Sequence, residues 1–124
     1  MKLMKNETKS LEDYLEAILI LDLNKEPLEV TKIAKHLKVS KPAVTRALKI
    51  LSKKGYINKT SYSAVEFTPK GLKLAKSIYH RHTTIYKFLL SIGLNKRIAE
   101  KDCCKIEHVI SEETLRALEK LINK

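Results

Sequence analysis

Apolar residues recur along this chain at intervals of three and four, the spacing that lines one face of an α-helix. Leu11, Leu15, Ile18, Leu19 and Leu23 form the first such stripe. Ser10 opens it, and Asp13 three residues on completes an approximate capping box. The pattern breaks from Asn24 to Leu28, where Pro27 sits. Val30 to Leu37 predicts a short helix with Ile33, Ala34 and Leu37 turned inward. Val39-Ser40 then reads as a turn. Ser40 can cap the next helix, Pro42 is tolerated in its first turn, and Gly55 ends it after about Lys54. Two short strands are expected near Tyr56–Lys59 and Val65–Thr68, with Tyr62 and Ser63 at the tip between them. Thr68 and Pro69 then start a long helix to about Ser91, anchored by Leu72, Ile78, Ile85, Phe88 and Leu89 and stopped by Gly93. Asn95 to about Ile110 is a further helix. Ser111 caps a last one, with Leu115, Leu118, Leu121 and Ile122 as its apolar stripe.

This order of helix, helix-turn-helix, two-stranded wing and further helices predicts a mostly α protein. The expected divisions are a winged helix-turn-helix DNA-binding domain at 1–75 and an α-helical domain at 76–124. Only three glycines and three prolines interrupt the 124 residues, as suits a helix-rich chain. A chain of this size has a limited core, so an oligomer that buries more surface would be unsurprising. No stretch approaches the roughly 18–20 apolar residues needed to span a bilayer. Met1-Lys2-Leu3-Met4-Lys5 has no apolar signal region, so no membrane association and a cytoplasmic location are expected.

Charge changes the picture more than composition does. The formal net charge is +11, and from Val30 to Ala99 the only acid is Glu66. A basic middle with acidic ends predicts a polyanion-binding surface. On the helix after Ser40, Val44, Ala47, Leu48 and Leu51 fall on one side. Pro42, Arg46, Lys49 and Lys53 fall on the other, which carries three cations and no acid. Such a face suits the major groove of double-stranded DNA, with Arg46 reading guanine bidentately. Ala43 and Thr45 flank it, and Ser40, Lys41, Lys49 and Lys53 are expected at phosphates. Lys59 and Tyr62 extend the candidate surface along the wing.

Candidate chemistry sits elsewhere. On a helix, Cys104, Glu107 and His108 share one face at i, i+3 and i+4. A thiolate, a carboxylate and an imidazole together can hold a transition metal. Asp13 and Glu16 offer a second polar pair near the start of the chain. Cys103 projects about 100° from Cys104 on the helix and reads as a buried thiol acting as a small hydrophobe. Adjacent cysteines form only a strained ring with each other, so no disulfide framework is expected.

Several of these segments resemble one known family. Leu11-Glu12-Asp13-Tyr14-Leu15-Glu16-Ala17-Ile18, Arg81-His82 and Cys104-Lys105-Ile106-Glu107-His108-Val109-Ile110-Ser111 are similar to motifs of the diphtheria-toxin-repressor and manganese-transport-regulator family. Lys54-Gly55-Tyr56-Ile57 and Phe67-Thr68-Pro69-Lys70-Gly71 resemble that family's wing. The resemblance implies metal ligands at Asp13, Glu16, His82, Cys104, Glu107 and His108, and a possible ancillary ligand at Glu100. It implies Fe²⁺ or Mn²⁺ as cofactor, one or two ions per subunit, and a homodimer that reads an inverted-repeat operator. It also implies that metal fixes the first helix against the two later ligand-bearing helices. Asp13, Glu16 and His82 resemble manganese-type members, while Cys104 stands where those carry a bridging glutamate. Cys104, Glu107 and His108 resemble iron-type members, which have methionine at position 13. The expected function is a metal-dependent transcriptional repressor controlling iron or manganese homeostasis. The alternatives are a thiol-redox-responsive winged helix and a winged helix that binds only proteins. A metal hydrolase fits poorly, because the chain has no HExxH spacing, Gly-rich phosphate loop or nucleophile–base pair, and no enzymatic activity is expected.

Overall fold

The computed structural model describes residues 9–59 and 65–123. Its helices are α1 (Leu11–Leu23), α2 (Val30–Leu37), α3 (Lys41–Lys53), α4 (Pro69–Ser91), α5 (Lys96–Ile106) and α6 (Glu112–Ile122). A two-stranded antiparallel wing, β1 (Ile57–Asn58) and β2 (Glu66–Phe67), lies between α3 and α4. The chain divides into two compact units, residues 1–76 and 77–124, and α4 runs from one into the other.

In the first unit, α1, α2 and α3 pack on one another and β1 packs on α3. Leu15, Ile18, Ile33, Val44, Leu48, Leu51, Ile57 and Val65 are all buried there. The helix starts follow from local chemistry. The Ser10 hydroxyl accepts from the Asp13 N–H, and the Asp13 carboxylate accepts from the Ser10 N–H at 2.9 Å. Ser40 accepts from the Ala43 N–H, and Ser111 from the Thr114 N–H. Each satisfies a backbone donor that the first helical turn leaves open. Between α2 and α3 the chain turns at Lys38, which adopts a left-handed φ of 59°.

Three expectations need correction. The strands are two residues long, Ile57–Asn58 and Glu66–Phe67, and next to Glu66 the Val65 N–H turns away from β1 to bond the Leu28 carbonyl at 3.0 Å. The helix expected to reach Ile110 stops at Ile106, with Glu107 as its C-cap. The N–H groups of His108 and Val109 bond three residues back, which tightens the last turn, and Ser111 must be extended to cap α6. Leu121 does not join the α6 stripe in the core, since it is 57% exposed.

The second unit has its own core of Ile85, Leu89, Ala99, Cys103 and Leu115 from α4, α5 and α6. An ion pair between His80 and Glu119 also ties α4 to α6.

The junction of wing and α4 is the tightest place in the first unit. The Thr68 hydroxyl donates to the Gly55 carbonyl at 2.6 Å and accepts from the Gly71 N–H at 3.0 Å. Lys70 donates to the Lys54 carbonyl and lies over the Tyr56 ring. A Cβ at Gly71 would sit 1.8 Å from the Tyr56 carbonyl oxygen. Gly71→Ala must therefore push backbone apart, and it should lower stability by about 1–3 kcal/mol in urea unfolding. An unchanged midpoint would show that the contact relaxes freely.

Candidate metal centre and nucleic-acid interface

The second unit brings four ligand-type side chains together. Single donor atoms of His82, Cys103, Cys104 and Glu107 all lie within 4.8 Å of one another. α4 presents His82, and the last turn and C-cap of α5 present the other three. The Nδ1 atom of His82 is 2.7 Å from Glu107 Oε1, 3.6 Å from Cys103 Sγ and 4.0 Å from Cys104 Sγ. Its Nε2 faces the Glu100 carboxylate at 3.3 Å. The ring stacks between Tyr79 and Tyr86, with interplanar angles of 5° and 13°. Those tyrosines stand at i−3 and i+4 on the same helix, a spacing visible in the sequence.

The charge balance of this group leaves room for a cation. Glu107 is fully buried, and its Oε2 has no hydrogen-bond partner among the described residues. A buried carboxylate oxygen without a donor is costly in an apolar medium. A metal ion bound there would supply the missing positive charge. Contact with the Cys103 thiol pushes the Cys104 thiol well above the ordinary range, His82 opposes this, and burial adds to it. The donor set of nitrogen, sulfur and carboxylate oxygen fits a borderline transition metal.

The residues expected as ligands distribute unevenly. His82, Cys104 and Glu107 belong to the group. His108 lies outside it in the turn after α5, with Nε2 at 3.7 Å from Glu107 Oε2. Glu100 does not count among the four donors, but it accepts from Cys104 Sγ at 3.5 Å as well as facing His82. Asp13 and Glu16 lie on α1 in the first unit. Asp13 caps the helix, and Glu16 is buried. Cys103, left out of the ligand set on angular grounds, points its sulfur at His82.

The first unit carries the candidate DNA surface. Lys41, Pro42, Thr45, Arg46, Lys49 and Lys53 are exposed on α3, while Val44, Ala47, Leu48 and Leu51 are buried. Ala43 and Lys59 are half-buried, and Ser40 is occupied as the cap. Ile50 adds an unforeseen apolar residue to this exposed side at 45% exposure. Burial pushes the Tyr14 hydroxyl up and the Arg46 charge opposes it, so α1 and α3 meet electrostatically there. Tyr62 lies outside the described residues.

Comparison with known proteins follows these two regions. Residues 7–65 match the iron dependent repressor N-terminal DNA binding domain, and residues 68–124 match the iron dependent repressor metal binding and dimerisation domain. An HTH-type transcriptional regulator of Methanocaldococcus jannaschii is 39% identical over 119 residues, covering 94% of this chain and 95% of that protein. The HTH-type transcriptional regulator MntR of Lysinibacillus sphaericus is 35% identical over 115 residues, covering 93% of this chain and 83% of MntR. Among solved structures, the manganese regulator SloR matches with a TM-score of 0.83 at 30% identity over 94% of this chain. The IdeR structure from T. acidophilum matches with a TM-score of 0.81 at 25% identity, likewise over 94% of this chain. This chain spans about half of each of those two, 54% and 55%.

The pairing of His82 with Glu107 yields a stability test. His82→Ala leaves the buried Glu107 carboxylate without its 2.7 Å partner. In chelator-treated protein, urea unfolding should show a loss of about 3–5 kcal/mol, the usual result of breaking a buried pair on one side. A variant as stable as the wild type would show that Glu107 does not depend on His82.

Proposed function

The chain belongs to the iron-dependent repressor family, and on that premise we propose that it is a homodimeric, metal-responsive transcriptional repressor. The observation that carries this reading is the donor group around His82, built on the buried Glu107, in a chain whose first unit displays an acid-free basic helix. His82, Cys104 and Glu107 are the proposed ligands of the second unit, with His108 beside Glu107. Asp13 and Glu16 are the proposed carboxylate donors of the first. Fe²⁺ or Mn²⁺ is the proposed effector, and control of genes for handling that ion is the proposed role.

Each residue has a distinct task. Glu107 supplies a carboxylate where water is excluded, and Cys104 adds a sulfur donor from the more open side. Tyr79 and Tyr86 hold the imidazole plane of His82, and Glu100 engages its far nitrogen, the kind of outer contact that orients a metal-binding histidine. On α3, Arg46 reads a base in each half of an inverted repeat, while Lys41, Lys49 and Lys53 contact phosphates. The relatives with printed roles are regulators.

A gel shift with operator DNA tests this directly. Binding should require added Fe²⁺ or Mn²⁺ and be lost with a chelator. A shift indifferent to both metal and chelator, but abolished by thiol oxidation, would favour a redox regulator instead. For a dimer making about 8–10 phosphate contacts, log K should fall with a slope of about −7 to −9 against log salt. Arg46→Ala should relax preference at one base position per half-site at a cost of about 1–3 kcal/mol, whereas Lys53→Ala should weaken all sequences alike. Uniform loss in both variants would remove Arg46 from base reading.

A further inference from the structure

We propose that Cys103 is a second sulfur ligand, so that His82, Cys103, Cys104 and Glu107 form a closed, thiolate-rich site for a thiophilic divalent cation of the zinc type. The inference rests on the metal-responsive reading above and changes the ion that this part of the site selects.

The geometry points this way from three directions. The Cys103 sulfur is 3.6 Å from Nδ1 and 3.7 Å from Nε2 of His82, so it meets the ring as closely as Cys104 does. In a tetrahedral site with ordinary zinc–sulfur and zinc–nitrogen bonds, neighbouring ligand atoms lie roughly 3.3–3.8 Å apart. The measured separations around Nδ1, from 2.7 to 4.0 Å, bracket that range, so closing the site needs only side-chain adjustment. Both sulfurs also fall inside the same 4.8 Å limit as the carboxylate.

Position on the helix explains how adjacent residues can both serve. Cys103 approaches from the apolar core of the second unit, and Cys104 from the more open side. His82 lies between their two directions. A buried thiol acting only as a hydrophobe would need no nitrogen partner, yet Cys103 has the imidazole within reach and donates weakly to the Glu100 carbonyl at 3.4 Å.

The chemical consequence is selectivity. Two thiolates, an imidazole nitrogen and one carboxylate oxygen make four protein donors, the count of a closed tetrahedral zinc site. Thiolates select softer ions, whereas Mn²⁺ prefers oxygen donors. On binding, each thiol gives up its proton to solvent and the sulfur donates a lone pair to the ion; no oxidation state changes.

Zinc K-edge X-ray absorption on the full chain loaded with Zn²⁺ tests this. The wild type should show two sulfur scatterers at about 2.3 Å. Cys103→Ser and Cys104→Ser should each show one. Should Cys103→Ser fail to fold, Cys103→Ala supplies the same comparison. One sulfur in the wild type, with zinc retained, would overturn the role of Cys103 and leave the metal-responsive reading intact. Two sulfurs persisting in Cys103→Ser would also overturn it, because the second would then come from another chain's Cys104. No zinc retained, together with DNA binding indifferent to metals, would overturn both.

Discussion

A carboxylate sealed from water must be answered by a donor or a cation, and in the second unit that requirement falls on Glu107. Its zero exposure and its place at the end of α5 dictate what surrounds it. His82 must come across from α4 to meet one oxygen, the tyrosines on either side must hold the ring, and the cysteines one turn earlier are drawn into the same space. Hydrophobic packing of Ile85, Leu89, Ala99 and Leu115 sets the helices together, but it cannot satisfy a charge. An apolar residue in place of Glu107 would make a simpler core. Retaining a group that is only half satisfied by protein atoms is understandable if the other half is meant for an ion.

The first unit obeys a different constraint. The buried residues of α3, Val44, Ala47, Leu48 and Leu51, fall on one side, so the other side, which also carries Ile50, can be given over to charge. What must be rigid is the approach of the wing to α4, and there backbone meets backbone. Gly71 admits the Tyr56 carbonyl, and Thr68 links two elements through one hydroxyl. Such a junction adds to the burial of Ile57 and Val65 in fixing a hairpin whose strands are only two residues long.

Much of this was legible in the chain because it is local. Helix starts at Ser10, Ser40, Thr68 and Ser111 depend on residues within one turn, and α4 has the bounds its pattern predicts. The misreadings lie where apolar periodicity gives no signal of where an element ends. Val65 bonds Leu28, and no periodicity announces that. The end of α5 is set jointly by its own last turn and by the extended residue that α6 needs for its cap. For the candidate site, a helical wheel gives the angle between Cys103 and Cys104 but not the direction from which His82 arrives. Helical spacing supplied Cys104 and Glu107, family resemblance added His82, and neither had a place for Cys103 as a ligand.

The cap of α1 has a consequence for whatever Asp13 meets. Its carboxylate is held by both the N–H and the hydroxyl of Ser10, so its rotamer is settled as the helix forms. A free aspartate side chain would lose conformational entropy on capturing a ligand; one already immobilised has lost it during folding. Asp13 is therefore preorganised, and the serine three residues before it governs how readily that carboxylate can be used.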